Sequence, residues 1–144
     1  ILNEAGRWCM NRELEQIHTQ MEQADGYDAM LTVCLRYLRE VMTCRMETYS
    51  ALGRYYQMTA PEQRQWVVQS KEQMKERFRQ IAEQGRREGQ VDPALSEEVC
   101  CDILISSLIG FAVACRARCM DAAWLDRLSV SVREGLHRAL APQR

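Results

Sequence analysis

The side chains with most chemistry to offer are seven cysteines and two histidines. Their spacing decides what they can do. Cys115 and Cys119 share a helical face, and Cys100 and Cys101 sit one helix length earlier, but no Cys-x-x-Cys pair occurs, the arrangement that a structural zinc site usually needs. An odd number of thiols scattered along helical sequence is not a disulfide framework either. The expectation is seven free cysteines behaving as small core hydrophobes, in a reducing, cytoplasmic setting, with no metal and no cofactor. His18 and His137 stand far apart among charged neighbours, which predicts exposed surface for both. Nucleophilic catalysis needs a nucleophile, a base and an orienting group in mutual reach. No Ser/His/Asp or Cys/His cluster, phosphate-binding glycine loop or His-Glu-x-x-His is present, so no catalytic residues are assigned and the reading is not an enzyme.

A second set is suited to binding. Large, adaptable side chains crowd the first half of the chain, among them Trp8, Met42, Tyr49, Tyr56 and Trp66. Methionine fills irregular apolar space, and Tyr and Trp add a polar tip to an apolar body. These five are the candidate lining of a pocket for a small apolar or aromatic effector. Ordinary core packing accounts for each of them singly, because methionine stripes on helices usually face the interior.

The elements that must position these residues are helical. Three prolines and seven glycines in 144 residues leave room for long helices and little turn chemistry for strands. Apolar steps of three and four predict a helix from Ile1 to about Gln23, a break at Ala24-Asp25-Gly26 with Asp28 as cap, and a second helix through Leu31, Leu35, Leu38 and Met42. A short third helix passes through Met46, Tyr49, Leu52 and Tyr56. Thr59-Ala60-Pro61-Glu62 reads as a capping box with proline in the first turn, opening a helix that Gly85 ends. After a turn at 86–93 come a helix from about Leu95 or Ser96 to Cys119 and a last one capped by Asp121. The run Ile103 to Cys115 is too short to span a bilayer and is flanked by charges, so it predicts a helix covered on most sides by protein, with no membrane partner. The fold class is all-α, an antiparallel bundle of five to six helices in a single domain over residues 1–144. Residues 1–84 would form the pocket and residues 95–140 the dimerisation helices.

The turn Gly85-Arg86-Arg87-Glu88-Gly89-Gln90-Val91-Asp92-Pro93-Ala94-Leu95, the apolar helix holding Gly110, and a final helix with Glu134-Gly135-Leu136 resemble the C-terminal regulatory domain of TetR-family transcriptional regulators. In that family a basic, glycine-rich turn of the form Gly-x-x-x-Gly-x-x-Asp-Pro precedes two helices that pair with their symmetry mates. The residues carrying the resemblance cover about the last 60 positions; helix order and length extend it over nearly the whole chain. The family's N-terminal helix-turn-helix is missing, so the resemblance implies a sensor whose Ile1 falls near the start of the helix linking reader to sensor. It implies a homodimer, a small-molecule effector, and contact with DNA only through the missing N-terminal domain.

Two independent readings bear on this. A formal net charge of -1 offers no general attraction to nucleic acid. An apolar helix beside a second apolar stripe exceeds what a chain of this size covers alone, which predicts an isologous dimer. Its seam is assigned to Leu104, Leu108, Phe111, Leu125, Leu128, Val132, Gly135 and Leu136. Small residues at Gly110, Ala114, Gly135 and Ala139 fit close helix approach, whether between copies or within one. The rival reading is a helical adaptor or structural bundle that binds protein partners and no small ligand.

Overall fold

The computed structural model describes residues 15–44 and 59–143. The chain is an all-α helical bundle, with no strand among the described residues. We number the described helices α1 (15–23), α2 (Tyr27–Cys44), α3 (Ala60–Arg87), α4 (Glu97–Ala117) and α5 (Ala122–Leu140). The expected helix through Met46 to Tyr56 lies outside the described residues, as does the stretch before residue 15.

Local chemistry explains most boundaries. Thr59 accepts from the Glu62 amide while Glu62 Oε2 accepts from the Thr59 amide at 2.8 Å, closing the expected capping box on α3. Ser96 caps α4 through the Val99 amide, and Asp121 caps α5 through the Trp124 amide. The second helix differs from expectation. Asp28 lies inside the first turn of α2 instead of capping it, and the Gly26 carbonyl accepts the first helical bond, from Met30. The free amide of Tyr27 is taken up by a distant group, Glu88 Oε2, at 2.8 Å. A carboxylate from beyond the end of α3 thus serves the start of α2.

The end of α3 also departs from the sequence reading. Gly85 does not end the helix, which runs on to Arg87. Gly85 is buried, and a Cβ there would stand 2.3 Å from Val91 Cγ2 and 2.9 Å from the Tyr27 ring. Its role is close approach. The reversal comes four residues later at Gly89, whose φ of 72° is the left-handed conformation glycine tolerates best. Asp92 then ties the turn together: its carboxylate accepts from the Ala94 amide, and its own amide donates to the Leu140 carbonyl at 2.7 Å. The turn locks α2, α3 and α5 into one joint.

The core runs through all four long helices: Leu31, Cys34 and Leu35 from α2, Phe78 and Ile81 from α3, Leu104, Leu108 and Phe111 from α4, and Leu125, Leu136 and Leu140 from α5. Helix α4 touches α2, α3 and α5. An 18-residue window within its 21 residues reaches a mean hydropathy of 1.9, so by length and composition the helix is apolar enough to cross a membrane, unlike the shorter run Ile103 to Cys115 taken by itself. It is not covered on most sides. Cys100, Cys101, Leu104, Leu108, Phe111 and Cys115 are buried, whereas Val99, Ile109 and Val113 on the opposite face are exposed, the last by 62%.

Candidate functional site

Three arrangements on this scaffold bear on function: the expected effector pocket, the outer face of α4 with the adjoining flank of α5, and a cleft between α2 and α5. The pocket set is mostly out of view. Trp8, Tyr49 and Tyr56 lie outside the described residues. Trp66 falls on α3, with its side chain outside the described set. Met42 is half-buried near the end of α2, against the core. Two other residues of the methionine- and cysteine-rich half, Met21 and Cys34, are plain core: both are 2% exposed, and the Cys34 thiol donates to Met21 Sδ at 3.9 Å.

The face expected to meet a partner needs correction. Leu104, Leu108, Phe111, Leu125 and Leu136 are all at most 5% exposed, within the chain's own core. A partner cannot reach them in this packing. Leu128 and Val132 are half-buried at the core's edge, and Gly135 is exposed, with nothing within 4 Å of where a Cβ would sit. On α4 the exposed apolar positions are Val99, Ile109 and Val113, with Gly110 equally open. A helix apolar over the run Ile103 to Cys115 has more than one face that could turn inward, and its spacing alone does not say which one does. The inner one is set by Phe111 and the two leucines, whose bulk fills the space between α2, α3 and α5.

The second flank of α5 faces α2 and is polar. Arg39 bridges to the Asp126 carboxylate and reaches toward the Ala122 carbonyl at 3.4 Å. His137 Nε2 lies 2.6 Å from Asp28 Oδ1, and Arg133 Nε lies 3.8 Å from the same oxygen. Histidine 137 is therefore half-buried, not on open surface, and its ring meets Tyr27 edge-on at 5.1 Å. Between these pairs opens a cleft of about 190 Å³ lined by Thr32, Leu35, Arg36 and Arg39 of α2 and by Ser129, Val130 and Arg133 of α5. None of the five anticipated ligand residues lines it. Its signal was in the sequence as Thr32, Arg36 and Arg39 at helical steps, a pattern that also describes any solvated face.

Three of the described thiols, Cys34, Cys101 and Cys115, are poor nucleophiles as placed. Cys34, Cys100, Cys101 and Cys115 are buried and free, and Cys119 is half-buried and free. Burial pushes the Cys34 thiol up to about 12 and raises Cys101 and Cys115 as well. Cys9 and the Cys44 side chain lie outside the described set. Among the described residues no group of three His, Cys, Asp or Glu could hold a metal ion. Arg86, expected in the turn after the helix, lies instead in the last turn of α3, half-buried, and donates to the Leu95 carbonyl at 2.7 Å, bracing the entry to α4. The sequence matches no protein-family model and no curated protein, and the fold matches no solved structure.

Proposed function

We propose that this chain is the effector-sensing, homodimerising domain of a TetR-like transcriptional regulator, working in the cytoplasm and contacting DNA only through a separate N-terminal reader. The observation that carries the reading is the outer face of α4, where Val99, Ile109 and Val113 stand exposed around Gly110, beside Leu128, Val132 and Gly135 of α5. Apolar surface gathered on the last two helices, with glycines that allow close backbone approach, suits an isologous helix-on-helix contact. The Gly85 to Leu95 turn fits the same reading, because it fixes α2 and α3 against the last helix and so couples a bundle interior to a dimer face. Effector binding within the bundle would favour one setting of α1, and with it the spacing of two attached readers.

Sedimentation equilibrium of the chain alone tests the reading, with a dimer expected at micromolar concentration. A thermal-shift screen of apolar and aromatic metabolites tests the sensing part, since a ligand at 100 times its Kd raises stability by about 2.7 kcal/mol. A strictly monomeric chain that captures one protein partner through this same α4 face would favour the adaptor reading. The near-neutral charge also implies that the isolated chain shows no sequence-selective DNA binding in a gel-shift assay at physiological salt.

A further inference from the structure

The cleft between α2 and α5 has the chemistry of an acid receptor. Its rim carries three guanidinium groups, Arg36, Arg39 and Arg133, and its walls include Leu35 and Val130. The three cations are not equally committed. Arg39 is held by Asp126. Arg133 has only a 3.8 Å approach to Asp28, whose same oxygen lies 2.6 Å from His137. Arg36 is exposed and forms no ion pair with a described residue. Arg36, and Arg133 with only this long approach to Asp28 to give up, can thus turn toward a ligand from facing helices, and a guanidinium fork matches an oxyanion better than any other side chain. The two hydroxyls do not compete for it, since Thr32 donates to the Asp28 carbonyl and Ser129 to the Leu125 carbonyl, each at 2.9 Å.

Size and lining narrow the class further. A dry cavity of about 150 Å³ holds benzene, so about 190 Å³ takes one ring or a short chain, with a charged head at the rim. Val130, 46% exposed, is the apolar surface such a body would cover. We infer that this cleft binds a small organic acid, its oxyanion held by Arg36 and Arg133 and its apolar body lying between Leu35 and Val130. The cleft uses the flank of α5 bearing Asp126, Val130, Arg133 and His137, across the helix from Leu128 and Gly135. Self-association through the latter flank leaves it open, and the inference holds whether or not the chain serves a DNA reader.

The test is a titration of the full chain with benzoate, phenyl phosphate and benzyl alcohol, followed by ¹⁵N NMR at backbone amides and arginine Nε–H groups. The expected result is saturable shifts at Arg36, Arg133 and Val130 with benzoate or phenyl phosphate, the tighter of the two naming the head group, and no saturation with the alcohol. Arg36→Gln and Arg133→Gln should each weaken binding of the acid about tenfold, with unchanged circular dichroism, as expected for loss of a charge-assisted hydrogen bond. Raising the salt concentration should weaken it further. The inference is overturned if neither acid saturates below about 10 mM, if the alcohol binds as tightly as the acids, or if both glutamine variants retain full affinity.

Discussion

Gly85 and the pair Gly110 and Gly135 look alike in sequence, each a glycine inside a helix, yet they occupy opposite kinds of space. Around Gly85 there is no room: Val91 and the Tyr27 ring fill the volume a side chain would take. Around the positions a Cβ would take at Gly110 and Gly135, no other described element comes within 4 Å. A helix interior glycine costs about 1 kcal/mol relative to alanine. At Gly85 the packing of three segments offsets that cost within the chain. At the other two positions no described residue packs against the glycine, so that cost stands uncompensated among the described residues. The comparison separates a joint that the molecule completes by itself from a surface it leaves unfinished.

The closed, self-packed side of the molecule should break hardest. Gly85→Ala places a methyl group against Val91 and Tyr27, and overpacking of this kind costs about 1–3 kcal/mol even after relaxation. Urea denaturation should show the loss as a lower midpoint at unchanged slope. Leu104→Ala, on the inner face of α4, should cost about 2–5 kcal/mol by cavity formation. If Leu104 were instead a partner contact, the same change would alter association and leave monomer stability intact.

Tyr27 sharpens the picture of the joint. Its hydroxyl is buried with no hydrogen-bond partner among the described residues, and desolvation pushes its ionisation up to about 12. In the unfolded chain the phenol ionises near pH 10. Between these values the unfolded chain has lost a proton the folded one keeps, so stability present below pH 10 drains away as pH rises toward 12. Tyr27→Phe should flatten that alkaline limb and, at neutral pH, raise stability by about 1 kcal/mol by deleting an unsatisfied buried group. A destabilised phenylalanine variant would mean the hydroxyl has a partner.

The smallest effect belongs to the open positions. Gly135→Ala should raise helix stability by up to about 1 kcal/mol, because no neighbour is displaced. In a self-associating chain it should weaken association at the same time. Thermal denaturation at two protein concentrations separates the two contributions.

These contrasts also mark where the sequence was readable. The described helices, the Thr59 capping box and the Asp121 cap follow from local chemistry and stand as expected, and Ser96, expected only near the start of α4, proves to be its cap. Gly85 was misread because a glycine near a helix end signals termination unless a distant side chain, here Tyr27, needs the space. The inner and outer faces of α4 were exchanged for the same reason. Apolar spacing shows that two faces exist, while only the positions of α2, α3 and α5 decide which one is buried. Leu104, Leu108, Phe111, Leu125 and Leu136 therefore moved from interface to core. The α2–α5 cleft depends on residues nearly a hundred positions apart, Arg36 and Arg133, which local pattern cannot bring together. His137 was missed likewise, since its partner Asp28 lies 109 residues away.

The outer face of α4 either meets a second copy or stays open to solvent, and one experiment decides between the two. Sedimentation equilibrium of Ile109→Asp and Val113→Asp, with circular dichroism on the same samples, puts a charge on exposed apolar positions that the chain's own core does not use. Both variants should remain helical and become monomeric, since a charge buried without a partner at a helix seam costs several kcal/mol. Variants that stay fully dimeric at micromolar concentration, or a wild-type chain that is itself monomeric, would contradict the assignment of this face to a second copy.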